Sequence, residues 1–259
     1  MNSQILGLIY ISLFSFTCKA QFNDSTNSIV FSHNDYAQTS PFTNAYLNRV
    51  GYIEADIYLR NDSLFIAHEP NEIDPYKTLQ NSYLDSLSEK IELNGGTVYP
   101  ETSKNLVLII DLKTNGELTI PVLIKVLISY PNLITNGNNL KIVMSGSMPL
   151  PATWDSYPDY IWFDGRPTVA YDTNALKRIA LVSTNFKNYS NWDGTDSIPN
   201  QDDEKIVTLV DRVHAVKKPL RFWATPDTEN TWAYLRKRQV DILGTDKVNE
   251  LCNWLALNK

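Results

Sequence analysis

The run Leu106-Val107-Leu108-Ile109-Ile110, followed at once by Asp111-Leu112-Lys113, decides the fold. It is short, β-branched and apolar at every position, so it has no polar side to turn to water. Such a strand needs cover on both faces, as in a parallel sheet packed beneath helices. Similar runs lie on either side of it: Ser28–Ser32, Tyr52–Tyr58, Lys141–Ser145, Tyr160–Asp164, Ile179–Ser183, Leu220–Ala224 and Val240–Gly244. Each is bounded by Gly, Pro, Asn or Asp and ends in polar residues, which is how strands are punctuated. Leu64–Ala67 is expected to fold back on Tyr52–Tyr58 as a hairpin across Arg60-Asn61-Asp62-Ser63.

Helix-compatible stretches separate the runs. Pro121–Ser129 is read as a helix with proline in its first turn, Asn174–Arg178 as a short one. Asp202–Val216 carries Ile206, Leu209, Val210 and Val213 at helical spacing. Residues 69–105, with Gly95-Gly96, are expected to form a helix and loop folded over the sheet. Eight strands alternating with helices over about 240 residues predict the α/β class and one (β/α)8 TIM barrel spanning residues 21–259. A doubly wound open sheet is the competing arrangement, but no glycine-rich phosphate fingerprint follows the first strand.

The first twenty residues stand apart from this pattern. Ile5–Phe16 is nearly all apolar, and Thr17-Cys18-Lys19-Ala20 places small residues at positions −3 and −1 of a cut before Gln21. Residues 1–20 therefore read as a signal peptide, and the mature chain as secreted or periplasmic. A lipid anchor on Cys18 is the other reading, disfavoured because Phe16 and Thr17 are not the small residues that precede a lipidated cysteine. Without that segment Cys252 is the lone cysteine, so no internal disulfide or thiolate metal site is expected, and Cys252 reads as buried and inert. The chain carries a net charge of −6, which argues against nucleic acid as a partner. No obligate protein partner is indicated.

The chemistry-bearing residues gather at the ends of the strands, where a barrel places its active face. They are His33-Asn34, Glu54 and Asp56, His68, Asp111 and Lys113, Ser145, Asp164, Trp223 and Asp246. Glu54 and Asp56 are two apart on one strand and share a face, as do Asp111 and Lys113. Three carboxylates converging on one point repel one another unless a cation intervenes, and oxygen ligands favour Mg2+ or Ca2+. Two imidazoles beside them suit proton transfer near neutral pH. The plainer reading is that Glu54 and Asp56 pair with Arg49 or Arg60. His214, within Val213-His214-Ala215-Val216 on a helix, is read as structural and without a polar constellation. Trp223 is expected to line the pocket, where its ring can grip a cationic or sugar headgroup. Arg166 has two readings, a phosphate contact or a salt bridge to Asp164. Tyr189 and Trp192, in the polar loop Lys187–Pro199, either rest on lipid in transient contact with a membrane surface or pack on the rim.

Together Ser32-His33-Asn34-Asp35-Tyr36, Ile53-Glu54-Ala55-Asp56-Ile57-Tyr58, Ala67-His68, Leu108–Thr114, Phe163–Pro167, Arg221–Pro226 and Gly244-Thr245-Asp246 form a joint pattern. It resembles the phosphatidylinositol-specific phospholipase C and glycerophosphodiester phosphodiesterase superfamily, most of all its altered-inheritance-of-mitochondria-like branch. That resemblance implies a (β/α)8 barrel, one divalent cation and cleavage of a phosphodiester or phospholipid substrate. By position it makes Glu54, Asp56 and Asp111 metal ligands, His33 and His68 the acid–base pair, and Asn34 and Lys113 contacts to substrate. Asn after the first histidine and Asp at 111 depart from the usual glycerophosphodiesterase pattern, which leaves the substrate class open. A non-catalytic or carbohydrate-directed barrel that keeps its acids as structure is the contrasting reading. A glycosidase, however, needs two carboxylates across a sugar and no histidine pair.

Overall fold

The computed structural model describes residues 26–258, so the expected signal segment 1–20 lies outside the described residues. Nine strands form one sheet: β1 Val30–Ser32, β2 Tyr52–Arg60, β3 Ser63–Ile66, β4 Leu106–Leu112, β5 Leu140–Gly146, β6 Ile161–Gly165, β7 Ile179–Asn185, β8 Leu220–Trp223 and β9 Leu243–Thr245. Eight of them run parallel in the order β8-β7-β6-β5-β4-β2-β1-β9, and β3 pairs antiparallel with β2 alone. A bridge between Arg221 and Ile242 brings the two ends of that order together, making a nearly closed eight-stranded barrel. Leu106–Leu112 sits in the middle of it, paired on both edges as its sequence demands.

Among the described residues seven α-helices cover the outside: α1 Thr43–Leu47, α2 Asp85–Leu93, α3 Gly116–Ile128, α4 Thr173–Arg178, α5 Asn200–Ala215, α6 Glu229–Lys237 and α7 Val248–Leu257. The main apolar cluster lies between helices and strands. A smaller one, Phe31, Ile109, Val143, Leu181 and Ile242, fills the lower barrel. Above that plug the inward positions turn polar, because the next inward residues, two further along each strand, include His33, Asp111, Ser145 and Ser183. The apolar plug thus forms the floor of a polar mouth.

Several sequence expectations shift here. The first strand starts at Val30, because residues 26–29 form a 3₁₀ turn, and the last begins at Leu243. The penultimate barrel strand stops at Trp223, since Ala224 takes φ +56° and leaves the extended region. Pro121 is not in the first turn of its helix but inside α3, which starts at Gly116 with the Asn115 side chain accepting from the Leu118 N–H. An apolar core face overrode the usual penalty for proline there. The excursion 69–105 packs against the barrel as expected, with Tyr83 donating to Asp35 and to the Glu54 carbonyl. Its helical part, Gln80–Leu93, buries Tyr83, Leu84, Leu87 and Ile91, and supplies the crossover between parallel neighbours β2 and β4.

Candidate active site

The site begins at the end of β1. Asn34 sits at φ 48°, ψ 36°, a left-handed conformation that asparagine tolerates better than most residues. The turn aims its backbone N–H at Glu54 Oε2, 3.0 Å away. Its side chain accepts from Tyr36 Oη at 2.9 Å and donates to Asp246 Oδ1 at 3.2 Å. Ser32 and Phe42 N–H hold the buried Asp35 beneath, and the Tyr83 hydroxyl donates to that same carboxylate.

His33 Nδ1 lies 2.8 Å from Asp246 Oδ1, at the end of β9. A carboxylate can only accept, so Nδ1 carries the proton, and Nε2 is left to exchange protons 3.8 Å from Glu54 Oε2. Burial works against the charged imidazole. The Asp246 hydrogen bond and the Glu54 charge outweigh it, and the His33 pKa is raised. Asp246 is held below the usual carboxylate range, chiefly by its bond to His33. His68 repeats the arrangement: Nδ1 lies 2.8 Å from Asp56 Oδ2, and the ring is more than half exposed at 52%. Tyr36 Oη lies 3.3 Å from His68 Nδ1 and donates to Asn34, whose Nδ2 is 3.0 Å from His33 Nδ1, so Tyr36 and Asn34 together bridge the two imidazoles.

The acids line one wall. Glu54 and Asp56 point inward from β2, only 8% and 2% exposed. Asp111 stands in direct register with Asp56 on the neighbouring strand. Burial pushes the Glu54 pKa up, while Arg221 and His33 pull against that rise. Lys113 Nζ sits between the other two, 2.9 Å from Asp56 Oδ2 and 2.8 Å from Asp111 Oδ2. Gly146, at φ +72°, makes room beside them: a Cβ there would stand 2.8 Å from Asp111 Oδ1 and 2.6 Å from the Leu112 carbonyl.

A hard divalent cation would take its oxygens from Glu54, Asp56 and Asp111. The donors are all oxygens, Gly146 leaves a cradle at Asp111, and an ammonium already occupies the position between two of the carboxylates. No three acids or histidines among the described residues are grouped closely enough to ligate an ion.

The plainer pairing of Glu54 and Asp56 with Arg49 or Arg60 does not occur; Arg49 pairs with Glu101. The cation facing Glu54 is Arg221, 3.8 Å from Oε1, 4% exposed, its guanidinium carbon 3.5 Å from the centre of the Phe31 ring. Sequence reasoning missed it. The signal was present, since Arg221 is two residues before Trp223 and shares its inward face. Asp246 was placed at a strand end without a role. Trp223 is 41% exposed and lines a cavity of about 180 Å3 with His33, Arg221 and Asp246.

Arg166 bonds Asp164 at 2.6 Å and Ser183 at 3.0 Å, the salt-bridge reading of that residue. Trp192 is buried edge-on against Tyr234, and Tyr189 packs against Phe222, so that loop's aromatics belong to the rim. His214 does have a polar partner, Asp241 at 2.8 Å, which also accepts from the Leu220 N–H.

Comparison with known proteins bears on the family and the fold. Residues 20–133 match the model of the AIM6-like phosphodiesterase domain, a span that contains His33, Asn34, Glu54, Asp56, His68, Asp111 and Lys113. An altered inheritance of mitochondria protein 6 homolog from Arthroderma benhamiae is 25% identical, over 85% of this chain and 81% of its own. The Kluyveromyces lactis protein of that name is 30% identical over 47% of this chain and 38% of its own. Among solved structures, a glycerophosphodiester phosphodiesterase from Parabacteroides distasonis superposes with a TM-score of 0.54 at 14% identity, covering 90% of this chain and 98% of that one. An Oleispira antarctica phosphodiesterase, in complex with the product sn-glycerol-3-phosphate, gives 0.53 at 13% identity, covering 89% and 96%. The chain is thus similar to the altered inheritance of mitochondria 6 proteins, with residues 20–133 matching the AIM6-like phosphodiesterase domain, and it shares its barrel fold with the two solved phosphodiesterases.

Proposed function

We propose that this chain is a metal-dependent phosphoric diester hydrolase acting on a phospholipid or glycerophosphodiester-type substrate. The observation that carries the reading is the pair of imidazoles. Each is fixed through Nδ1 by a carboxylate, which orients the ring and leaves Nε2 to move protons. His33, raised in pKa by Asp246, takes the proton of the attacking hydroxyl; His68 donates one to the leaving alkoxide. Lys113 and Asn34 contact the phosphate, and Trp223 packs against the headgroup. Glu54, Asp56 and Asp111 would hold Mg2+ or Ca2+, which when bound supplies Lewis-acid polarisation of a phosphate oxygen. A glycerophosphodiester is the first substrate to try, because the similarly folded Oleispira phosphodiesterase holds sn-glycerol-3-phosphate.

One observation favours a second reading, a barrel that keeps its acids as structure: Lys113, Arg221 and the two histidines already partner them. A screen of phosphodiesters followed by ³¹P NMR separates the two. Hydrolysis that is lost in EDTA and restored by Mg2+ or Ca2+ supports the enzyme. An unchanged rate in chelator removes the metal from the proposal, and no hydrolysis of any diester leaves the structural reading.

A further inference from the structure

Asp35 comes directly after His33 and Asn34, yet it is fully buried. Its Oδ1 accepts from Ser32 Oγ at 2.8 Å, and its Oδ2 accepts from the Phe42 N–H at 2.6 Å and the Tyr83 hydroxyl at 2.9 Å. Burial pushes the pKa of this acid up, and the three donors pull against that rise. What these bonds hold is strained backbone. Asn34 lies at φ 48° and Phe42 at φ 61°, ψ −52°, on the left-handed side of the map, where an aromatic residue is an outlier. Such conformations persist only where their surroundings over-determine them, and they collect at functional sites. Asp35 stands beside the first of these residues and bonds the amide of the second. The segment so held makes the contacts that order the mouth. His33 and Asn34 both bond Asp246 Oδ1, Gln38 Nε2 donates to the Asp246 carbonyl at 3.0 Å, and the Asn34 N–H donates to Glu54.

We propose that Asp35 is the positioning residue of this turn: its buried carboxylate holds residues 33–42 on their strained path and so keeps the His33 ring on Asp246 and the Asn34 N–H on Glu54. For its effect on turnover the inference rests on the acid–base reading of His33; for the rest it rests on geometry alone. A buried carboxylate that accepts three hydrogen bonds cannot shift without leaving a donor unpaired, so it fixes the backbone more firmly than an exposed turn would. Hydrogen bonding, rather than charge, does the holding. Asparagine at position 35 can keep its oxygen toward the Phe42 N–H and Tyr83 and turn its amide toward Ser32 Oγ, which can accept; alanine can do neither. Once released, Asn34 and Phe42 relax toward ordinary φ values and carry His33 with them, while Asp246 stays on the far side of the β1–β9 pairing. The imidazole then loses the bond that keeps its proton on Nδ1.

¹⁵N NMR of the histidine side chains, at a pH where the rings are neutral, tests this in the wild type, Asp35→Asn and Asp35→Ala. In the wild type and the asparagine variant His33 should carry its proton on Nδ1. In the alanine variant that tautomer should give way to the Nε2–H form, while His214, which bonds Asp241 through Nε2, keeps its signals. Where the chain hydrolyses a phosphodiester, Asp35→Ala should lower kcat by about 10²-fold, the cost of displacing a group by about 1 Å, with KM little changed. An unchanged His33 in folded Asp35→Ala, or an asparagine variant as displaced as the alanine one, overturns the proposal. If the alanine variant does not fold, Tyr83→Phe decides: it removes one of the three donors, and an unmoved His33 there overturns it as well. A wild type that cleaves no diester removes the proposed function and leaves the tautomer measurement to judge Asp35.

Discussion

Replacing Arg221 with methionine keeps much of the side chain's bulk over the Phe31 ring and deletes the guanidinium that faces Glu54. Glu54 is 8% exposed, so water cannot take the place of that charge. At 3.8 Å and an effective dielectric of about 20, the lost attraction is roughly 4 kcal/mol. The carboxylate can escape by taking up a proton. Starting from a reference pKa of about 4.3, that costs roughly 3.7 kcal/mol at pH 7 but only about 1 kcal/mol at pH 5. Arg221→Met should therefore lower stability by about 3–4 kcal/mol at pH 7, or roughly 6–15 °C in Tm for a domain of this size. The sign with pH follows from linkage: the variant's Glu54 binds its proton more tightly folded than unfolded, so the deficit shrinks as pH falls. Adding Glu54→Gln should recover most of it, because no unpaired charge is left inside. Urea unfolding followed by tryptophan fluorescence at pH 5 and pH 7 measures all of this. A loss under 1 kcal/mol at pH 7, or a double variant no better than the single one, would falsify the claim that Arg221 holds the Glu54 charge.

Other outcomes are open to test. His33→Ala and His68→Ala should each reduce phosphodiester turnover by about 10²–10⁴-fold with unchanged circular dichroism, and full activity in either removes it from the acid–base pair. Gly146→Ala forces a side chain into the left-handed region and against Asp111. It should cost at least about 1–2 kcal/mol in denaturant melts and weaken Mg2+ or Ca2+ binding in titration calorimetry. Cys252 is buried, which pushes its thiol up to about 12. It should stay unreactive to a thiol reagent at pH 8 until denaturant is added; prompt labelling of the folded chain would contradict its packing.

Much was legible in the chain. Leu106–Ile110 reads as a doubly covered strand because no alternation breaks its apolar run, and the i, i+2 pairs Glu54/Asp56 and Asp111/Lys113 read as inward because strand side chains alternate. Those signals are local, and the structure keeps them. Boundaries were less legible where a single backbone conformation decides, as at Ala224, or where core packing overrode the penalty for proline, as at Pro121.

The sequence by itself determined which polar and titratable residues stand at the strand ends, because periodicity and punctuation operate over a few residues. Partner choice was left to the tertiary structure. His33 meets Asp246 and Glu54 meets Arg221 only because β1 closes the barrel against β9, and Ile242, just before β9, bridges to β8. Those pairs join residues more than 160 positions apart, a separation no local pattern spans. The pairing of β2 with β4 set Lys113 between two acids rather than beside one, since only strand register brings Asp56 opposite Asp111.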